Sequence, residues 1–211
     1  MKQDYFENLI EVGNKNSCNI SMIWFHGYGA NNWSFEPTMK MINLMLDGRL
    51  HVIIPNAQVV NDKRSWYPLP STNNDGQVYE DLDGIKKTHH AIAEFLEQLQ
   101  LTKKIFVGGF SQGAALSLSL IFENYFDIEG CIALSGYMPN ADHYISNDPQ
   151  SSKVFISHGK NDNAISYDSF EKSLKFLEGK NIDLTKYTGD FGHTITKQVT
   201  NEIIDWLNKV M

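Results

Sequence analysis

The pentapeptide Gly109-Phe110-Ser111-Gln112-Gly113 sets one hydroxyl between two glycines. It follows the apolar run Lys104 to Gly108 and opens the apolar stretch Ala114 to Phe122. Strand, sharp turn, helix is the context in which Gly-x-Ser-x-Gly presents a nucleophile. The serine must project from a strained turn, and small residues two before and two after it let strand and helix approach closely. The first helical amides then point at a developing oxyanion. A bare Gly-x-Ser-x-Gly also suits an ordinary turn. The flanking patterns make Ser111 a candidate nucleophile.

A hydroxyl is a poor nucleophile without a base. In this arrangement an acid and then a histidine follow the serine, each on a loop after a strand. Val154 to Ser157 runs into His158-Gly159-Lys160-Asn161-Asp162, and Ile182 to Tyr187 is followed by Gly189-Asp190-Phe191-Gly192-His193. The separations, about fifty and about thirty residues, each leave room for intervening helix–strand units. Asp162 is expected to hold the imidazole tautomer, and His193 to take the Ser111 proton. Of the other histidines, His89 and His90 fall in a helical pattern, His51 begins a strand and His143 lies in a polar loop. His158 could shape a turn, and His26 could hydrogen-bond backbone near the site. Asp168 is the rival acid but belongs to the next helical pattern, and Asp190 is too near His193. The oxyanion needs two amides. Gln112 supplies one, and Tyr28, in the loop Trp24-Phe25-His26-Gly27-Tyr28-Gly29, is the candidate for the other. That loop also reads as a plain glycine turn, and both readings can hold because the donor is backbone. No His-Glu-x-x-His or clustered Cys/His spacing occurs, so no metal and no cofactor is expected.

Strands and helices must position these groups. Ile20–Phe25, His51–Ile54, Lys104–Gly108, Gly130–Leu134, Val154–Ser157 and Ile182–Tyr187 are apolar runs of strand length. Near-continuous apolarity predicts strands buried on both faces of a parallel sheet. Tyr5 to Val12 could be an edge strand turning at Gly13-Asn14. Helical spacing links Leu82, Ile85, Ile92, Leu96 and Leu99, and again Val199, Ile203, Trp206, Leu207 and Val210. Met39 to Leu46 and Phe170 to Leu177 mark two more helices, and the apolar Ala114 to Phe122 one more deeply buried. Alternation of this kind predicts an α/β fold with right-handed crossovers, in one domain over 1–211. Residues 71–76 and 140–152 read as surface loops.

Composition agrees. The chain has 211 residues, 42% hydrophobic and 20% charged, which excludes disorder and fibrous repeats. With a net charge of −7 no nucleic-acid partner is expected, because phosphate neutralisation needs a basic face. Two cysteines, Cys18 and Cys131, make no disulfide scaffold. With no apolar leader at the N-terminus and no apolar stretch of membrane-span length, a cytoplasmic, soluble protein is expected.

The segments His-Gly-Tyr-Gly at 26–29, Pro-Asn-Ala at 55–57, Arg-Ser-Trp-Tyr at 64–67, Gly-Gly-Phe-Ser-Gln-Gly-Ala-Ala-Leu at 108–116, Ala-Leu-Ser-Gly-Tyr-Met-Pro at 133–139, His-Gly-Lys-Asn-Asp at 158–162 and Gly-His-Thr-Ile at 192–195 resemble, in order, the acyl-protein thioesterase and carboxylesterase family of α/β-hydrolases. The resemblance implies a mostly parallel sheet of about seven strands, helices on both faces and no large cap domain. It carries the triad onto Ser111, Asp162 and His193, and the oxyanion amides onto Tyr28 and Gln112. It implies hydrolysis of small carboxylic esters, of lysophospholipids, or of thioesters on lipidated proteins. Tyr28 stands where the family usually has leucine, and Gln58 where it prefers proline, so the acyl pocket should differ in shape. Its candidate lining is Trp33, Trp66, Tyr67, Leu69, Tyr137, Met138 and Ile165. The segment Trp66 to Pro70, with two prolines, could cover an acyl chain or transiently touch a membrane surface. Either a monomer or a homodimer is compatible with these features. A catalytically silent fold that binds lipid or acylated protein is the rival, and it would have no need of all three triad residues.

Overall fold

The computed structural model describes residues 6, 8–18, 20–74, 78–99, 101, 104–123, 125–149 and 153–211. Its strands are β1 (Ile10–Val12), β2 (Ile20–Phe25), β3 (Leu50–Ile54), β4 (Gln58–Val60), β5 (Lys63–Ser65), β6 (Ser71–Thr72), β7 (Val78–Tyr79), β8 (Lys104–Phe110), β9 (Ile128–Leu134), β10 (Lys153–Gly159) and β11 (Asp183–Gly189). Its helices are α1 (Glu36–Met45), α2 (Leu82–Leu99), α3 (Gln112–Leu120), α4 (Tyr167–Glu178) and α5 (Lys197–Val210). The main sheet has seven strands in the order β1-β3-β2-β8-β9-β10-β11. Every pairing is parallel except β1 against β3. The expected sheet is therefore present, with its antiparallel strand at one edge.

Neighbouring residues along the central strands serve two cores, as near-continuous apolarity requires. Ile23, Phe25, Val107, Cys131, Ala133, Val154 and Ile156 face a cluster with Ile85 and Ile92 of α2, the apolar side chains of α3, and Phe170 and Leu177 of α4. Their alternates Ile20, Met22, Trp24, Phe106, Ile132, Leu134 and Phe155 face Met39 and Ile42 of α1 and Val199, Ile203, Trp206 and Leu207 of α5. Trp206 packs against Phe106 and Phe155, each at 5.9 Å between ring centroids. Helix α3 is buried along its whole length, in line with its apolar sequence.

Several expectations change. The run at 182–187 was expected to be buried on both faces, but β11 is a half-exposed edge strand, with Asp183, Thr185 and Lys186 open to solvent. Among the described residues it pairs only with β10, as the last strand of the sheet. The stretch between β3 and α2 is not plain loop. It folds into two small antiparallel ribbons, β4–β5 and β6–β7, whose strands of two or three residues are too short to give an apolar run of strand length. Of the edge strand expected at 5–12, Ile10–Val12 is present; residues 1–5 and 7 lie outside the described residues, as do 75 and 76 of the expected 71–76 loop and 150–152 of the 140–152 loop.

Helix α3 seats tightly on the sheet because residues 109 and 113 have no side chain. A Cβ on Gly113 would stand 2.1 Å from the carbonyl oxygen of Phe25, at the end of β2. A Cβ on Gly109 would stand 2.4 Å from the Gly113 carbonyl carbon. These are contacts with backbone, which cannot swing aside. Gly113→Ala is therefore expected to lower stability by about 2–3 kcal/mol, read as a lower urea midpoint at unchanged slope. An unaltered midpoint would show that the helix is not seated this closely.

Candidate active site

The parallel strands β2, β8, β10 and β11 run in one direction, so the loops at their C-terminal ends gather on one edge of the sheet. That edge is where open α/β sheets bind ligands. It collects the 26–29 loop after β2, Ser111 after β8, Asp162 after β10 and His193 after β11.

Ser111 has φ 57° and ψ −118°, a strained backbone for a residue with a Cβ. The strain follows from a chain that must turn from β8 into α3 within one residue. The Ser111 N–H donates to Leu134 O at 2.8 Å, which ties the turn to β9. As the first residue of α3, Gln112 has an amide with no partner inside the helix. Tyr28 and Ser111 line the same cavity, and the neighbouring Gly27 would bring a Cβ to 3.2 Å from Ser111 Cβ.

His193 Nδ1 donates to Asp162 Oδ2 at 2.7 Å. The proton on Nδ1 leaves Nε2 as an acceptor. The His193 ring packs on Phe110, 4.6 Å between centroids, beside the elbow. The Asp162 side chain is fully buried, and its Oδ1 accepts from the amides of Ala164 at 2.8 Å and Ile165 at 2.9 Å. Burial pushes this carboxyl up, but the Ile165 amide, the His193 imidazole and the Ala164 amide outweigh it and hold it below its ordinary value. Asp168, the rival acid, lies in the first turn of α4 and pairs with Lys172 on the surface. Asp190 is exposed.

Two other histidines frame the site. His26 is buried, accepts from the Ala57 amide at Nε2 (3.0 Å) and donates from Nδ1 to Gly27 O (2.7 Å). Burial lowers its pKa to about 4, so it is a neutral brace in the loop that carries Tyr28. His158 is buried at the end of β10, stacks on Phe170 at 5.0 Å and donates from Nε2 to Ile165 O at 3.0 Å. That bond closes the turn that holds Asp162. Burial lowers its pKa too.

A cavity of about 550 Å³ opens beside Ser111. Of the acyl-pocket candidates it is lined by Tyr67, Leu69, Tyr137 and Ile165, as well as by Tyr28 and Gln112. The other three candidates are elsewhere. Trp66 is 1% exposed, with its ring edge-on to Phe25 and Nε1 donating to His26 O at 2.7 Å. It is a core residue that locks the 26–29 loop, although it also borders a neighbouring cleft of about 400 Å³. Met138 is buried in the core on the α3 face, and Trp33 stands 69% exposed on a short 3-10 turn. Neither is among the residues lining the cavity. The segment 66–70 therefore contributes Tyr67, Leu69 and Pro70 to the cavity wall while its tryptophan points inward.

Two participants escaped the sequence reading. The Gln112 side chain accepts from the Trp66 amide and donates to Tyr67 O at 2.7 Å and Ser65 Oγ at 3.1 Å, so it straps residues 65–67 to the elbow. In the sequence only its backbone amide is a candidate. Glu80 lines the cavity as well, and nothing in its surroundings in sequence marks it. No group of three or more His, Cys, Asp or Glu that could hold a metal ion occurs among the described residues. No helix among them is long and apolar enough to cross a membrane.

The sheet order and the strand–turn–helix elbow after β8 define an α/β-hydrolase. The family model described as Phospholipase/Carboxylesterase matches residues 9–211, and the chain belongs to that family. It is 28% identical to acyl-protein thioesterase 1 of Candida albicans, over 94% of this chain and 95% of that one. It is 25% identical to carboxylesterase SOBER1 of Arabidopsis thaliana, over 89% of each. Its fold matches the crystal structure of Zea mays acyl-protein thioesterase 2 with a TM-score of 0.80 at 20% identity, covering 96% of this chain and 98% of that one.

Two outcomes follow from this geometry. Trp66→Ala is expected to cost about 3–5 kcal/mol in urea denaturation, the range for a buried aromatic; a loss below 1 kcal/mol would contradict a core role. The second concerns pH. His26, His89 and His158 all have lowered pKa values when folded. Below the ordinary histidine value of about 6.5 the unfolded chain binds more protons, so stability should fall with pH by up to about 1.4 kcal/mol per unit for each such group. For His26 the loss continues to about pH 4. The depressed Asp162 carboxyl adds to the loss only below about pH 4, where its unfolded form takes up a proton. The urea midpoint should drop between pH 7 and 5, and less steeply in His26→Gln. A midpoint constant over that range would be inconsistent with buried neutral histidines.

Proposed function

We propose that this protein is a serine hydrolase of carboxylic esters and thioesters, acting through an acyl-enzyme on Ser111. The observation that carries the reading is the His193–Asp162 hydrogen bond on the edge of the sheet where Ser111 occupies the strained elbow. In this reading Asp162 fixes the His193 tautomer, Nε2 takes the Ser111 proton, and the Ser111 oxygen attacks the carbonyl. The amides of Gln112 and Tyr28 receive the oxyanion. His193 returns its proton to the leaving alcohol or thiol, and then activates water to release the acid. One domain supplies every group, with no metal or cofactor.

The names of the relatives support acylated proteins and simple carboxylic esters as substrates. The family description supports lysophospholipids as the alternative. A catalytically silent binding fold is disfavoured by the strain at Ser111, which a lipid-binding protein has no reason to retain. Solution of this chain in the cytoplasm, as a monomer or homodimer that visits membrane surfaces transiently through exposed Leu69, fits such substrates.

Ser111→Ala and His193→Ala are each expected to lower turnover of a short-chain thioester by about a million-fold, with the double variant scarcely worse. Asp162→Asn should cost about ten-thousand-fold. A serine-directed phosphonate should label the native protein once and leave Ser111→Ala unlabelled. Hydrolysis by Ser111→Ala at an appreciable fraction of the native rate would end the assignment.

A further inference from the structure

The cavity beside Ser111 is not the apolar sleeve that an acyl chain alone would ask for. Three phenols line it, from Tyr28, Tyr67 and Tyr137, and the single charged residue among its lining is Glu80. Glu80 Oε2 accepts from the Asn140 amide, which fixes the carboxylate in place. No salt bridge joins Glu80 to a Lys, Arg or His among the described residues. Tyr137 stands next to it, and burial together with this carboxylate pushes the phenol well above its ordinary range, so Tyr137 stays protonated and donates to Glu80. The Tyr67 hydroxyl is buried near Tyr137 without a well-aligned hydrogen bond. The cavity thus combines a half-buried negative charge lacking a counter-ion with several electron-rich rings.

Aromatic rings around a carboxylate are the chemistry that recognises ammonium groups, since the ring quadrupole and the anion attract the same cation. An anion placed there would meet Glu80, and no lysine or arginine is among the residues lining the cavity; Lys63 Nζ lies over the Tyr28 ring at 5.5 Å, an ammonium already held by one of these phenols. We propose that this cavity is an ammonium subsite, so that the preferred substrates are esters or thioesters bearing an ammonium group within reach of the scissile carbonyl. The proposal rests on the reading of Ser111 as the nucleophile and adds the charge of the substrate to it. The cation could be a quaternary ammonium on the leaving alcohol or thiol, or a lysine side chain beside an acylated cysteine.

The test compares matched substrates. Butyrylthiocholine is paired with its neutral isostere, the 3,3-dimethylbutyl thioester of butyric acid. An S-butyryl cysteine peptide with an adjacent lysine is paired with the same peptide carrying norleucine. In at least one pair the cation should be favoured by about ten-fold in kcat/KM, and the pair that shows it identifies the source of the cation. Glu80→Gln retains an acceptor for the Asn140 amide and should bring that ratio close to one. Ratios of one or below in both pairs, or a ratio unmoved by Glu80→Gln, would overturn the proposal. Titration of tetramethylammonium against 3,3-dimethylbutanol into the Ser111→Ala protein, followed by tyrosine NMR signals, reads the subsite without turnover. Saturable binding of the cation alone, weakened in an added Glu80→Gln change, upholds the subsite even if no thioester is hydrolysed and the catalytic reading fails. Absence of cation binding in a folded protein overturns it.

Discussion

The backbone at Ser111 cannot relax without moving the helix that follows it. Its φ of 57° exists because β8 must turn into α3 within one residue, and the turn is possible only while Gly109 and Gly113 touch backbone with no Cβ between. The helix so placed is buried on every side, so packing of the whole core holds the strain. From the same turn the Gln112 side chain reaches out and captures residues 65–67 with three hydrogen bonds. That strap brings Tyr67 into the cavity wall and Trp66 into the core, where the indole fixes His26 and the loop bearing Tyr28. Elbow, strap and 26–29 loop thus form one unit.

Electrostatics at the site are sorted by what each buried group can be given. Asp162 is ionised and buried, a costly state, and it is met by two amides and an imidazole. His26 receives backbone partners, His158 the Ile165 carbonyl and, at 3.5 Å, Asp162 Oδ2, and burial lowers the pKa of both. They act as rigid spacers within turns. His193, with part of its ring exposed, has Nδ1 engaged by Asp162 and its ring packed on Phe110 beside the elbow. Three histidines close together therefore have different parts, and their hydrogen bonds decide which is which.

The fold around this site rests on double-sided strands. Consecutive residues of β2, β8, β9 and β10 feed opposite cores, and this appears in the sequence as short unbroken apolar runs. Such runs are legible because burial on both faces leaves no room for polar positions. β4 to β7 were illegible for the converse reason. They are two or three residues long, mix Val and Tyr with Gln, Lys, Arg, Ser and Thr, and pair as β4 with β5 and β6 with β7. β11 misled because Ile182, Leu184 and Tyr187 give an apolar look to a strand that lies at the edge.

Chemical identity was local and so was written in the chain. Gly-Phe-Ser-Gln-Gly between a strand and a helix, an aspartate after one strand and a histidine after another have few other readings, because strand ends in a parallel sheet must meet on one edge. The hydrogen bond between His193 and Asp162 accords with that order. What lines the cavity depended on contacts between segments far apart in sequence. Trp66 and Tyr67 are both buried in one core cluster, and that only Tyr67 also borders the cavity beside Ser111 could not be read from two adjacent aromatic residues. The Gln112 side chain holds that segment to the elbow across 46 residues. Glu80 came to the cavity only because the chain after β7 enters α2 beside Tyr137, a neighbour 57 residues away that no local pattern announces.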